Sequence, residues 1–200
     1  MNEVIRTILK RRSIRSYRDE PLGNKDLETL LLCALYAPTG GNSQGSRFLV
    51  VRDPKLLTEL NTIIREELLS FTGEISGMQG QGIRRAQAPA YHFLYHAPTL
   101  IAAVAPRADK NSMANCAAGL ATIMLAAVSL GIGTCWSNQL RWLTDSRRIR
   151  PFFGSLGLRE DEDFYGAVGA GYPAAVLGRA AERRPGRIVI DGVPSDGKER

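Results

Sequence analysis

Apolar residues recur at helical spacing from the start of the chain. Val4, Ile5, Ile8 and Leu9 follow Asn2, a side chain suited to capping, with Glu3 behind it, so a first helix is predicted that ends at the basic run Lys10 to Arg15. Pro21-Leu22-Gly23-Asn24 reads as a turn, and Leu27, Leu30, Leu31, Ala34 and Leu35 form the stripe of a second helix limited by Pro38. A loop of small and amide residues, Ala37 to Gln44, then precedes a predicted strand Phe48-Leu49-Val50-Val51. Asp53-Pro54 is a strong helix start, a cap residue followed by proline at the first position. Its apolar stripe is Leu56, Leu57, Leu60, Ile63 and Ile64, and the helix is expected to run to about Leu69.

From Ser70 the pattern loosens. Gly73, Gly77, Gly80 and Gly82 accompany few large apolar groups, so residues 70–95 are expected to form a mobile insertion over a site, where substrate choice would lie, or a loop without a role. Thr99 to Val104 is a near-continuous apolar run, as expected of a strand buried on both faces. An uncharged helix rich in alanine follows from Ser112 to about Leu130, packed in the middle of the fold or at a subunit interface. Its polar interruptions and the stop at Gly131 and Gly133 leave it short for a membrane span. After Thr134 to Asn138 a helix is predicted around Leu140 to Ile149. Phe164 to Gly169 reads as the last core strand, and a basic tail closes the chain.

Two hundred residues, 44% hydrophobic and 23% charged, fit one soluble domain over 1–200. The net charge of +6 is concentrated. Arg6, Lys10, Arg11, Arg12, Arg15 and Arg18 face one acid, Glu3; Arg179, Arg183, Arg184 and Arg187 face Glu182. These two clusters exceed the charge of the whole chain and form one split anion site or two unrelated surfaces. Three cysteines without a CxxC pair suit a reducing, cytoplasmic setting, and no secretory signal is visible.

In the first cluster, guanidinium groups of Arg11 and Arg15 and the hydroxyl of Ser13 suit a phosphate. Side chains must do this work, because a helix C-terminus repels anions. The Asn42 and Gln44 amides can read a ring edge such as a flavin or a base, though a plain turn has the same composition. Gly169-Ala170-Gly171-Tyr172-Pro173-Ala174 lacks the strand, helix, strand context of a dinucleotide fingerprint, and no P-loop occurs. His92 and His96 are spaced like metal ligands but have no carboxylate or third ligand nearby, so no metal is expected. Cys135 reads as a packed thiol near a site, and Trp136 and Trp142 as core residues or stacking platforms.

Taken in order, several motifs resemble the FMN-dependent nitroreductase family. Lys10-Arg11-Arg12-Ser13-Ile14-Arg15-Ser16-Tyr17 is similar to its flavin-phosphate motif, and Ala37-Pro38-Thr39-Gly40-Gly41-Asn42-Ser43-Gln44 to its flavin-contacting loop. His96 to Ile101 is similar to its central strand, Leu130 to Trp136 to the turn approaching the isoalloxazine ring, and Val168 to Pro173 to the strand before the C-terminal phosphate contacts. The resemblance implies an α+β fold with a central, mostly antiparallel sheet flanked by helices, in an intertwined homodimer with FMN at the interface. It further implies that Arg11, Arg12, Ser13 and Arg15 hold the phosphate and ribityl end, completed by Arg183 and Arg184. Pro38, Thr39 and Asn42 would face the flavin, and Ser137 and Asn138 would lie on the N5 side. Where many members carry Pro-Trp after the loop, this chain has Gly45-Ser46, which implies a more open or mobile pocket wall.

The implied activity moves two electrons from NADH or NADPH through flavin N5 to a nitroaromatic, quinone or similar small acceptor, with no catalytic side chain required. Reductive dehalogenation or flavin fragmentation within the same family is the alternative. A basic nucleic-acid module is disfavoured, because aromatics are 7% and do not alternate with the basic residues.

Overall fold

In the computed structural model, which describes residues 1–73, 76–175 and 178–195, the first helix α1 (Glu3–Lys10) begins on Asn2, whose Oδ1 accepts the Ile5 N–H at 3.0 Å. Helix α2 (Asn24–Leu35) and a loop holding one 3-10 turn lead to strand β1 (Arg47–Val51). Helix α3 (Pro54–Leu69) starts as its sequence predicts, with the Asp53 carboxylate accepting the Lys55 and Leu56 N–H groups. Then come α4 (Gly77–Ala86), β2 (Thr99–Pro106), α5 (Ser112–Ser129), β3 (Gly133–Ser137), the short α6 (Gln139–Trp142) and α7 (Ile149–Gly154), β4 (Glu162–Gly171), and a hairpin of β5 (Ile188–Ile190) and β6 (Val193–Ser195).

The fold is α+β. Four strands form a sheet in the order β1-β2-β4-β3, every neighbour antiparallel. One transverse row runs Leu49, Ala102, Ala167, Ser137, and another Val51, Leu100, Gly169, Cys135. β2 lies between two apolar layers, which explains its unbroken hydrophobic run. Leu100, Ala102 and Val104 pack against α3, α4 and α7, while Ile101, Ala103 and Ala105 pack against α2 and α5. Helix α5 is long and apolar enough to cross a membrane, but Cys116, Leu120 and Ile123 are fully buried against the sheet, as in a core helix.

Three local readings change. Residues 77–86, expected as loop, form a helix that buries Gly80, Gly82, Ile83 and Ala86. Its glycines admit a neighbour: a Cβ on Gly82 would stand 2.5 Å from the Trp142 ring. The helix expected over 140–149 is broken. α6 stops at Trp142, and α7 starts at Ile149, where the Ser146 hydroxyl accepts the Arg148 and Ile149 N–H groups at 3.1 Å each and Pro151 occupies the first turn. The basic tail contains the β5/β6 hairpin, turned by Asp191 and Gly192, both at positive φ (50° and 81°).

Packing decides the expected effect of two glycine substitutions. Gly82→Ala gains about 1 kcal/mol of helix propensity but drives a methyl into Trp142, at a cost of about 1 to 3 kcal/mol, so a net loss of melting temperature is expected. Gly154→Ala, with nothing within 4 Å, should be neutral or stabilising; thermal denaturation of both variants is the check. A second expectation concerns His92. Burial, and then the neighbouring His96, lower its pKa from 6.5 to about 4. The folded state resists protonating this ring, so stability is complete above about pH 6.5 and is lost as pH falls toward 4. For this half-buried group the loss is on the order of 1 kcal/mol, and His92→Gln should flatten the melting temperature over that window relative to wild type.

Candidate functional site

The stretch after α1 does not lie loose on the surface. The Ile14 N–H donates to the Thr134 carbonyl at 2.9 Å, and Ser13 bridges Thr134 in parallel sense, so residues 11–15 run beside the outer edge of β3. Gly133 permits this approach, because a Cβ there would stand 2.8 to 2.9 Å from the Ile14 side chain. Arg18 N–H to Tyr172 carbonyl (2.9 Å) and Ala174 N–H to Ser16 carbonyl (3.0 Å) fasten the same stretch to the exit of β4. The Tyr17 hydroxyl donates to the Ile14 carbonyl at 2.6 Å, and burial raises its pKa well above the usual phenol range.

This lacing opens a cavity of about 370 Å³ lined by Arg12, Ser13, Arg15, Gly178 and Arg179. Two guanidinium atoms of the stretch, Arg11 Nη1 and Arg12 Nε, are buried and have no hydrogen-bond partner among the described residues. Among the described residues, no carboxylate forms an ion pair with Arg11, Arg12, Arg15 or Arg179. A buried cationic donor left unpaired is costly, so the donor set fits a bound anion. The roles within the motif divide. Arg12 Nη1 donates to the Leu9 and Arg11 carbonyls at 2.7 and 2.8 Å, closing the C-terminus of α1, whereas the Arg15 guanidinium lies 5.5 Å from the centroid of the Tyr95 ring.

The amide loop is equally ordered but sits elsewhere. Asn42 N–H donates to the Thr39 carbonyl at 2.9 Å, Asn42 Oδ1 accepts from Gln44 Nε2 at 3.2 Å, and Gly41, Asn42 and Gln44 all take positive φ. Buried Asn115 of α5 fastens the loop, accepting the Gly40 N–H at 2.9 Å and donating to Ser43 Oγ at 3.3 Å. Pro38 and Asn42 are exposed and Thr39 is half-buried. This loop precedes β1 near the Pro106 end of β2, whereas Ser13 and Arg15 lie beyond β3 near its Thr99 end. Four inter-strand steps of about 4.8 Å separate the two edges by roughly 19 Å, so one chain does not bring both groups together.

Between these edges, β3 and α6 present Ser137 and Asn138. The Ser137 hydroxyl donates to Gln139 Oε1 at 2.5 Å, and Asn138 Oδ1 accepts from Trp136 Nε1 at 2.7 Å, which fixes both side chains. Burial raises the Cys135 thiol pKa, opposed in turn by Arg15, Arg11 and Arg85. Burial also pushes the Tyr91 phenol up to about 12, and its hydroxyl has no hydrogen-bond partner. Sequence reasoning missed Arg85, Tyr91 and Tyr95, whose positions depend on how residues 77–96 fold back. Arg183 and Arg184 are exposed and do not line the cavity, which takes Arg179 from the same basic cluster.

An antiparallel sheet between helical layers, with an anion cradle laced to its edge, defines a class shared with known flavoproteins. The model of the nitroreductase family matches residues 8–172, and the chain belongs to that family. An Archaeoglobus fulgidus protein carrying the name NADH dehydrogenase/NAD(P)H nitroreductase is 30% identical over 177 residues, 86% of this chain and 87% of that one. A Bacteroides fragilis nitroreductase solved with bound FMN is 33% identical, with a TM-score of 0.86 over 95% of this chain and 99% of its own. A Desulfitobacterium hafniense nitroreductase, 24% identical, shares the fold at a TM-score of 0.79 over 92% of this chain and 95% of its own.

Asn115→Ala should unfasten the amide loop by removing two part-buried hydrogen bonds, costing about 1 to 2 kcal/mol of stability in a denaturant titration. Limited proteolysis should cut within 39–46 faster than in wild type.

Proposed function

We propose that the protein is an FMN-dependent oxidoreductase that takes electrons from NADH or NADPH and gives two of them to a nitroaromatic, quinone or similar small acceptor. The observation that carries this reading is the pair of buried, unpartnered guanidinium atoms on Arg11 and Arg12, the latter lining a cavity that has no carboxylate among its described lining residues. FMN bound in the Bacteroides fragilis relative and NAD(P)H in the name of the Archaeoglobus fulgidus relative support the identities of cofactor and reductant. FMN, when bound, would supply the redox chemistry as a two-electron carrier between reductant and acceptor.

The chain's own residues bind and orient. Arg11, Ser13 and Arg15 grip the phosphate and ribityl end, Arg12 blunts the negative helix end next to it, and Arg179 closes the cavity. Ser137 and Asn138 border the N5 side of the ring. Pro38, Thr39 and Asn42 complete the site from a second copy, because within one chain they stand on the far corner of the sheet. Arg183 and Arg184 belong to a tail that reaches across the same interface.

An intertwined homodimer is supported by surfaces too apolar for water. Val4, Ile5, Ile8 and Leu9 expose 45 to 66% of their surface on α1, and Ile188, Val189, Ile190 and Val193 expose 48 to 65% on the hairpin. The chain functions as one nitroreductase-like unit in the cytoplasm, consistent with three free thiols, and does not act on nucleic acid or in a membrane.

Purified protein from flavin-supplemented expression should show flavin absorbance and an FMN-dependent rise in melting temperature; the absence of both would defeat the proposal. Arg11→Ala/Arg15→Ala should weaken FMN by about 100-fold while barely affecting riboflavin, which lacks the phosphate. Isothermal titration with both ligands separates loss of the clamp from loss of the fold, and unchanged FMN affinity would refute the assignment.

A further inference from the structure

Residues 77–96 carry chemistry that the cofactor site leaves unused. The last turn of α4 ends in Arg84 and Arg85, and Arg85 Nη1 donates to the Tyr95 hydroxyl at 2.9 Å. The opposite contact of Tyr95 is the Arg15 guanidinium over its ring, so one phenol holds two arginines, one from the phosphate motif and one from α4. The backbone enforces this arrangement. Tyr95 and His96 are consecutive left-handed residues (φ 55° and 60°), and neither is glycine, a conformation that persists only where the surroundings fix it.

Arg85 therefore stands on the β3 side of the molecule, where Cys135 lies within electrostatic reach of Arg11, Arg15 and Arg85 together. A guanidinium has five N–H donors, and only one group of Arg85 is engaged. Among the described residues no carboxylate pairs with Arg84 or Arg85. Arg85 is exposed, and its side chain is preset by the Tyr95 hydroxyl, which itself lies against Arg15 of the phosphate motif.

From this juxtaposition we infer that Arg85, held by Tyr95, is a specificity-determining residue that favours acceptors bearing a carboxylate, such as nitrobenzoates, over neutral ones. The inference rests on the flavin oxidoreductase reading. The carboxylate of an acceptor stacked beside Ser137 and Asn138 meets a planar fork suited to two parallel hydrogen bonds. A neutral amide of the same shape meets the same fork without the charge.

The test compares 4-nitrobenzoate with 4-nitrobenzamide, using NADH and FMN-loaded enzyme, in wild type, Arg85→Gln, Arg85→Glu and Tyr95→Phe. FMN affinity and the dissociation constant of benzoate, read by perturbation of flavin absorbance, are measured on the same preparations. The ratio of kcat/KM for the two acceptors should fall about five- to tenfold in Arg85→Gln and further in Arg85→Glu, carried by KM. Tyr95→Phe should give a smaller fall, and benzoate binding should weaken in parallel. An unchanged ratio in Arg85→Glu overturns the inference. A loss of FMN affinity with the ratio unchanged also overturns it, since Arg85 would then be a cofactor ligand. So does a change confined to the NADPH to NADH preference, which would place the 2′-phosphate of the reductant on Arg85. Absence of flavin binding in wild type defeats the underlying reading instead, and is distinguishable because no variant is needed to see it.

Discussion

The pairing of the 11–17 stretch with the edge of β3 is the constraint on which the site depends. Seven successive residues with three arginines would drift in solvent if left to their charge. The Ile14 to Thr134 hydrogen bond and the absence of a side chain on Gly133 bring them against the sheet, and the Arg18 and Ala174 bonds tie them to the exit of β4. That exit starts the tail carrying Arg179. Two basic clusters more than 160 residues apart in sequence thus meet because β4 releases the chain beside the segment that β3 has captured.

Once captured, neighbouring arginines acquire different work. The C-terminus of α1 carries partial negative charge and points toward the cavity, which opposes an anion there. Arg12 donates to the Leu9 and Arg11 carbonyls and so offsets that charge, leaving Arg11 and Arg15 with donors for a ligand. Composition alone cannot make this distinction, since both tasks require the same side chain. Arg12 in fact does both, closing the helix through Nη1 while its Nε stays unpaired and its side chain lines the cavity.

Much of the fold was legible where one local signal and one tertiary role agreed. The cap at Asn2, the Asp53-Pro54 start and the unbroken apolar run of β2 each had a single physical reading, and each element formed as read. Helix α4 was not legible, because glycine weakens an isolated helix, and only the position of Trp142 reveals that Gly82 supplies room. The Asp191-Gly192 turn and its hairpin were not read, because the charge of the surrounding tail dominated that segment. Within the site, the order of motifs marked the Arg11 to Arg15 stretch and the Asn42 loop. Within one chain the cavity takes Arg179 from the second basic cluster, while Arg183 and Arg184 are exposed outside it. Arg85 carried no signal, since its role depends on two left-handed residues ten positions later.

The diagonal separation of the anion cradle from the amide loop bears on how such a protein is regulated by its own assembly. In the proposed homodimer, a cofactor gripped by Arg11 and Arg15 of one chain and bordered by Asn42 of another would bind the pair more tightly than the single chain, so by linkage the cofactor would also tighten the pair. The exposed apolar face of α1 adjoins a cleft of about 280 Å³ against Leu125 and Ala126 of α5, and α5 in turn carries Asn115, which fixes the amide loop. Burying that face in a dimer would brace the same helix that positions Asn42. In that proposed dimer, association and completion of the site would be a single structural event, with α5 serving the core on one side and the second copy on the other.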